Sequence, residues 1–443
     1  MITTRFAPSP TGRLHVGNIR TALHNFLLAK KAGGRFVLRI DDTDPERSRE
    51  EYVEAIRHDL GWLGLEVDGE ERQSARLGHY EEAFETLKAA GRVYRCYETA
   101  QELDLRRKVL LGRGLPPIYD RAALALDEAD HAAKEAEGVM PHWRFLIDRD
   151  EPITWDDGIR GPQKFEGERL SDPVIRRADG SWLYMLPSCA DDIAMGITDV
   201  LRGEDHVSNT AVQLQMFTAL GASPPRFSHE ALLTGSEGKL SKRLGSLGVD
   251  AFREQGLEPM AINSLLARIG TSQAIAAQPS MAVLAQDFDL STFGRAPARF
   301  DEAELLRLNA QIVHGLDYGD VAGRLPAGMD EAAWLTVRPN LEKVGDAHDW
   351  WQVVAGEVGR GDLSAEDRAF IAEAADAAAS VTWDDGAWKA LTSVLKERTG
   401  RKGKALFLPL RQALTGMDHG PDMNALLPLI GKDRALDRLR AAA

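Results

Sequence analysis

The sequence predicts an α/β fold: a doubly wound parallel-sheet domain carrying an insertion, followed by an all-α C-terminal half. Three observations lead there. Short strand patterns alternate with helical ones through roughly the first 90 residues. The stretch from about 100 to about 190 is rich in Gly and Pro and holds only isolated strand-like pieces. Beyond about 300 the periodicity is almost entirely helical.

Taken in order, residues 2–7 read as a strand, broken by Pro8, Pro10 and Gly12. Ile19, Ala22, Leu23, Phe26 and Leu27 then fall on one helical face, so a helix starts near Gly17 and ends at Gly33-Gly34. Residues 35–40 read as a second strand. Ser48 and Glu51 are placed as a capping box ahead of Tyr52, Val53, Ile56, Leu60 and Leu63 on a second helical face. Strand, helix and strand within ~40 residues suggest a right-handed parallel crossover. In the middle segment, residues 101–111 read as helix, and residues 143–147 and 182–186 as strands. A helix is expected over residues 209–220, with Asn209 as N-cap and Gly221 just past its end. Alanine-rich stretches such as residues 366–379 support helix further on. Gln278-Pro279 and Ala296-Pro297 are candidate boundaries.

Composition narrows the function classes. Lys and Arg number 54 against 68 Asp and Glu, a net charge of −14 over 443 residues. Nucleic-acid binding by bulk positive charge is excluded, while a local basic patch is not. Cys96 and Cys189 are the two cysteines. They exclude a disulfide scaffold and an all-Cys zinc site, and they fit a reducing compartment. No apolar run reaches ~18 residues, and the first residues lack an apolar signal region. A soluble, cytoplasmic, multidomain protein with no membrane association is expected.

Four constellations carry chemistry. Arg5-Phe6-Ala7-Pro8-Ser9-Pro10-Thr11-Gly12, then His15-Val16-Gly17-Asn18, bring a strand end, a tight loop and a helix N-terminus together. Free N–H groups and the helix dipole make such a terminus attractive to anions. Gly17 lets a ligand approach the backbone, and His15 can donate to a phosphate. A Pro-rich loop with a capping residue fits the same spelling. Gly238-Lys239-Leu240-Ser241-Lys242-Arg243 sets three cations in five residues beside glycines. This suits a loop that closes on phosphates, or else a solvated charge run. Arg39-Ile40-Asp41-Asp42-Thr43-Asp44 puts three carboxylates at a strand C-terminus. Ligands of open α/β sheets bind there, although Asp44 and Ser48 also read as helix-start caps. Arg202-Gly203-Glu204-Asp205-His206 offers a carboxylate clamp in Arg202, or an ion pair within the motif.

Joined, these motifs resemble the class I aminoacyl-tRNA synthetases, and within them the bacterial glutamyl-tRNA synthetases, over nearly the whole chain. The family's His-x-Gly-x signature stands as His15-Val16-Gly17-Asn18, and its mobile-loop signature as Lys239-Leu240-Ser241-Lys242-Arg243. Gln73-Ser74-Ala75-Arg76, Tyr94-Arg95-Cys96 and Gly403-Lys404-Ala405-Leu406-Phe407 also match glutamyl members.

The resemblance implies a Rossmann-type catalytic domain in two halves, residues 1–95 and 190–240. An acceptor-stem-binding insertion would span 96–189, a stem-contact region with the cationic loop 241–310, and a helical anticodon-binding region 311–443. It implies glutamate binding by Arg5, Ser9, Asp41, Tyr184, Ser188 and Arg202. ATP, accompanied by Mg²⁺, would be held by His15, Gly17, Asn18, His206, Lys239, Ser241 and Lys242, with His15, Lys239 and Lys242 as the catalytic residues. Positioning and charge stabilisation would then carry two transfer steps with no covalent enzyme intermediate. The implied reaction is ligation of L-glutamate to the terminal adenosine of tRNA(Glu) by a monomer. A relaxed enzyme that also charges tRNA(Gln), an inactive RNA-binding relative, and a short paralogue lacking an anticodon domain are the alternatives. The last two fit poorly with intact His15, Lys239 and Lys242 and with the long helical C-terminal half. Zinc-bearing members use more Cys and His near the insertion than residues 96–126 supply here, so no structural zinc is expected. Residues 389–411 hold seven cations against one anion. Among them Lys396, Arg398, Arg401, Lys402 and Lys404 are the candidate tRNA contacts, while Trp350 and Trp351 read as core.

Overall fold

The computed structural model describes residues 1–235, 248–359 and 363–443. The chain divides into two compact units. One comprises residues 1–252 and 263–301, the other residues 253–262 and 302–443.

In the first unit, β1 (Thr3–Phe6), α1 (Val16–Lys31), β2 (Arg35–Ile40), α2 (Glu50–Trp62) and β3 (Glu70–Arg72) form a parallel three-stranded sheet in the order β1-β2-β3. All of β1 and five of the six residues of β2 are buried, as a sheet covered on both faces requires. Gly34 makes the return into β2 because the Arg35 N–H must reach the Ile2 carbonyl at 2.8 Å. A Cβ on Gly34 would lie 2.1 Å from that same oxygen. α1 starts where its sequence predicts, but α2 does not use the predicted capping box. Its N-cap is Arg49, without a side-chain cap, and the Ser48 hydroxyl is buried without a partner among the described residues.

α3 (Leu77–Ala89) leads out to β4 (Val93–Cys96), which pairs antiparallel with β5 (His142–Phe145) after α4 (Ala100–Gly112) and α5 (Glu128–Ala136). β6 (Ile153–Asp157) and β7 (Gly161–Phe165) form a hairpin, and β8 (Val174–Arg176) joins β5. The chain then re-enters the parallel layer through α6 (Met185–Ala194), β9 (Asp199–Gly203), α7 (Val207–Ala219) and β10 (Arg226–Glu230). β9 pairs in parallel with β10. The Thr198 N–H donates to the Thr3 carbonyl at 3.0 Å, which sets β9 beside β1. The predicted strand over residues 182–186 is a correction. Only Trp182 makes a bridge, and α6 begins at Met185, since Pro187 is tolerated in a first helical turn. Likewise α7 begins at Val207 with His206 as N-cap, two residues before the predicted Asn209. Asn209 sits in the first turn, its amide 3.1 Å from His206 Nδ1.

β11 (Leu233–Thr234), α8 (Val249–Glu254), α9 (Pro259–Arg268), α10 (Met281–Asp287) and β12 (Ala298–Arg299) follow, with β11 parallel to β12. The second unit is helical: α11 (Glu302–Gly315), α12 (Tyr318–Val321), α13 (Glu331–Val337), α14 (Ala347–Ala355), α15 (Ala365–Ser380), α16 (Ala387–Thr399), α17 (Lys404–Thr415), α18 (Met423–Ile430) and α19 (Lys432–Ala442). Trp334 and Trp350 anchor one of its cores, and Phe370, Trp388 and Leu391 another. Trp350 is therefore core, as the sequence predicts.

Candidate active site

The carboxyl ends of β1, β2, β9 and β10 and the start of α1 surround a cleft of about 650 Å³. Such crevices are where open parallel sheets bind ligands. Five arginines line it (Arg5, Arg13, Arg20, Arg39, Arg202) against the carboxylates of Asp41, Asp205 and Glu230. The surplus of positive charge suits anionic ligands.

The floor of the cleft is an ion network. Arg39 is fully buried and donates twice to Asp41, at 2.7 and 3.0 Å, and once to Asp192, at 2.8 Å. Burial opposes the Arg39 charge, but Asp41 and Asp192 outweigh it and push its pKa well above the arginine range. Burial likewise pushes the Asp41 pKa up, against the pull of Arg39. Arg5 donates from Nε to Asp192 at 3.2 Å and lines the cleft while only 4% exposed. Asp192 thus fixes two arginines at once. Asp191, beside it on α6, accepts from Gln73, Arg76 and Tyr80. The three carboxylates of the Asp41-to-Asp44 motif separate in role. Asp41 faces the cleft, Asp42 is tied to Arg72 and Ser74, and Asp44 caps an exposed turn.

Arg202 comes from the end of β9 and donates to Tyr184 Oη (2.9 Å), Thr210 Oγ1 (2.6 Å), Gln213 Oε1 (2.7 Å) and His229 Nε2 (3.3 Å). It makes no ion pair within its own motif. Glu204 pairs with Arg160 instead. Ser9, Tyr184 and Asp41 line the cleft, but Ser188 does not. Its hydroxyl is buried behind the wall, 3.4 Å from both Arg39 Nη2 and Gln213 Nε2. Ser188 therefore reaches the cleft only through other side chains, Arg39 directly and Arg202 by way of Gln213. This follows from its place one turn into α6, on the inward face.

At the other end, His15 is the N-cap of α1. Its Nδ1 accepts from the Gly17 N–H at 3.1 Å, and its own N–H donates to Asn18 Oδ1 at 3.3 Å. The helix cap and the His15-to-Asn18 motif are thus one structure. A Cβ on Gly17 would lie 3.0 Å from the His15 ring. His206 lines the same cleft, its ring 5.8 Å from that of Tyr184. Burial lowers the pKa of both imidazoles, and for His206 the Arg202 charge adds to it. Glu230 accepts from Thr21 (2.7 Å) and His24 (2.6 Å). Lys239, Ser241 and Lys242 lie outside the described residues. The chain lines the cleft at Leu232 and Leu233 before that stretch, and Gly248 pairs with His15 after it.

Sequence reasoning gave no role to Asp192, Glu230, Asp157, His229 or Gln213. Adjacent carboxylates inside a helix of mean apolar character, as at Asp191-Asp192, were the available signal. It also passed over His142. Cys96 Sγ, a Glu98 oxygen and a His142 ring nitrogen lie within 4.8 Å of one another. The Glu98 carboxylate accepts from Tyr119, and burial pushes the Cys96 thiol up to about 11. Of the candidate tRNA contacts, Lys396, Arg398, Lys402 and Lys404 are exposed. Arg401 differs: its guanidinium pairs with Asp367 (2.6 Å) and Glu366 (2.9 Å) and covers the Phe370 ring. These bonds tie the loop between α16 and α17 to α15.

Comparisons with known proteins give the family. The catalytic domain of class I tRNA synthetases (E and Q) matches residues 1–306, and an anticodon binding domain matches residues 361–443. Glutamate–tRNA ligase 1 of Novosphingobium aromaticivorans is 72% identical over 438 residues, 99% of each chain. That of Zymomonas mobilis is 58% identical over 442 residues, 100% of each chain. The crystal structure of a glutamate tRNA ligase from Elizabethkingia meningosepticum, in complex with its amino acid, matches with a TM-score of 0.88 at 28% identity. The match covers 100% of this chain and 99% of that one. From its motifs, its fold and these full-length matches, the chain belongs to the bacterial glutamyl-tRNA synthetases of class I.

Proposed function

We propose that this chain ligates L-glutamate to the 3′-terminal adenosine of tRNA(Glu), using ATP and passing through a glutamyl-adenylate. The observation that carries the reading is one cleft holding two carboxylate clamps, Arg5 and Arg202, beside the phosphate-ready N-terminus of α1. Arg5 and Arg202 take the two carboxylates of glutamate, and Asp41 and Ser9 its ammonium group. Tyr184 orients Arg202, and Ser188 supports Arg39 from behind. ATP lies along His15, Gly17 and Asn18 with its adenine toward His206. Lys239, Ser241 and Lys242 neutralise the phosphates, with Mg²⁺ held mainly by phosphates and waters.

The glutamate α-carboxylate attacks the α-phosphorus in line and expels pyrophosphate. A ribose hydroxyl of the terminal adenosine then attacks the adenylate carbonyl and expels AMP. A guanidinium facing a neutral amide is left poorly paired, which disfavours glutamine. The proposed organisation is a catalytic domain over 1–95 and 190–240, an acceptor-stem insertion over 96–189, a stem-contact region over 241–310 and an anticodon region over 311–443. The enzyme works as a cytoplasmic monomer without structural zinc. A non-hydrolysable glutamyl-adenylate analogue tests the pathway. It should bind at least ~10²-fold more tightly than glutamate. Binding no tighter than glutamate or ATP alone would contradict an adenylate intermediate.

A further inference from the structure

Behind the amino-acid end of the cleft stand two buried groups that the reaction above does not use. His229, on β10, is the register partner of Arg202 on β9, and Asp157 ends β6. Both are buried. His229 Nδ1 makes a short hydrogen bond to Asp157 Oδ2. The other oxygen of Asp157 accepts from the backbone N–H groups of His229 (3.0 Å), Ile159 (3.1 Å) and Arg160 (3.0 Å). The Trp155 indole adds a fifth donor, to Oδ2 at 3.4 Å, and a carboxylate so held is locked in place and stays ionised. Burial works against its charge, but the His229 and backbone bonds prevail and hold its pKa at about 2.

That geometry fixes the imidazole tautomer. Nδ1 carries the proton toward Asp157, so Nε2 presents a lone pair. Facing that lone pair are Thr210 Oγ1 at 2.9 Å and Arg202 Nε at 3.3 Å. Every side chain bonded to Arg202 is therefore neutral: Tyr184, Thr210, Gln213 and His229. Among the described residues Arg202 has no carboxylate partner, whereas Arg5 and Arg39 share Asp192. Its positive charge is held in a desolvated wall of the cleft with no counter-ion of its own.

We infer that Asp157 and His229 are positioning residues that set specificity, aiming Arg202 through a neutral acceptor so that only a ligand carboxylate completes its charge balance. The inference rests on the amino-acid-binding role given to Arg202 above. A carboxylate in place of the neutral imidazole would satisfy Arg202 internally and remove its preference for a charged ligand. A proton on Nε2 would push the guanidinium away.

Asp157→Asn tests this with the shape conserved. The carboxamide can donate to Nδ1 and so favours the tautomer with N–H facing Arg202. The glutamate KM in ATP–pyrophosphate exchange should rise ~10–100-fold with the ATP KM unchanged, and discrimination against glutamine should fall. His229→Gln, which keeps an acceptor near the Nε2 position, should restore most of the affinity. His229→Asn, which keeps only the Nδ1-side group, should not. Equal changes in the KM of glutamate and ATP, or His229→Asn and His229→Gln behaving alike, would overturn the inference. Should a variant fail to fold, ¹⁵N NMR of histidine-labelled wild-type protein decides independently. A neutral His229 with Nδ1 protonated is expected at pH 7, and an Nε2-protonated ring or an imidazolium would overturn it. A wild-type protein inert toward glutamate would sink the proposed function, while the NMR result would still judge the Asp157–His229 geometry.

Discussion

Replacing Arg5 with lysine separates charge from geometry at the amino-acid clamp. Arg5 is 4% exposed, lines the cleft and is oriented by a single bond from Nε to Asp192 at 3.2 Å. A guanidinium can give Nε to Asp192 and still offer its outer nitrogens to a ligand, but an ammonium on a flexible stem cannot do both in fixed geometry. One charge-assisted hydrogen bond is worth about 1.5–3 kcal/mol, and each 1.4 kcal/mol is tenfold in affinity. The glutamate KM should therefore rise roughly 10–100-fold. The charge is retained, and Arg39 still holds Asp192 at 2.8 Å. Stability should then change little, by about 2–4 °C in Tm for each kcal/mol lost. The assay is ATP–pyrophosphate exchange with tRNA(Glu) present, varying glutamate and ATP in turn. An unchanged glutamate KM, or a loss shared equally with ATP, would refute the assignment of Arg5 to the glutamate clamp.

Four further outcomes are expected. Lys242→Ala should lower the exchange rate by ~10²–10³, the scale of losing one preorganised charge-stabilising donor; unchanged turnover would remove its role. Replacing Lys396, Arg398, Lys402 and Lys404 together with alanine should weaken tRNA binding and flatten its dependence on salt, whereas Arg401→Ala should lower Tm and leave the salt slope unchanged. The Glu230 carboxyl sits at about 2 against an ordinary 4.5, because Arg20 and His24 overcome the effect of burial. Its contribution, roughly 3 kcal/mol, is complete above the unfolded value and is lost as pH falls from about 4.5 toward 2. Glu230→Gln should show a correspondingly flatter loss of stability in acid titrations followed by circular dichroism. Cys96, Glu98 and His142 offer three ligands where structural zinc takes four. Elemental analysis of protein purified without chelator should find well under one zinc per chain; one full equivalent, lost in Cys96→Ser, would prove this wrong.

Residues bearing on local periodicity and on the cleft surface were legible in the sequence. The Pro8-to-Gly12 break, the helix after His15 and the residue 35–40 strand were readable because strand and helix periods alternate cleanly there. Asp41, His15 and Arg202 were nameable because each stands in a motif at a strand or helix end, whereas the role of Arg5 came only with the family resemblance. What was hidden depends on long-range packing. Ser188 looked like a lining residue until α6 turned it inward against Arg39. Arg401 looked like one more cation in a basic run, but Asp367 lies beside it from 34 residues away. His229 and Asp157 are 72 residues apart, and nothing local marks either as a partner of Arg202. The strand predicted over residues 182–186 failed because an apolar run of that length is compatible with both states.

The most direct test of the central claim is attachment of labelled glutamate by the purified protein to separate tRNA(Glu) and tRNA(Gln) transcripts in the presence of ATP. ATP-dependent, acid-precipitable glutamate is expected on tRNA(Glu), with little on tRNA(Gln). Equal charging of both would replace the discriminating enzyme with a relaxed one. No charging of either, even with native modified tRNA, would contradict the claim that this cleft activates glutamate.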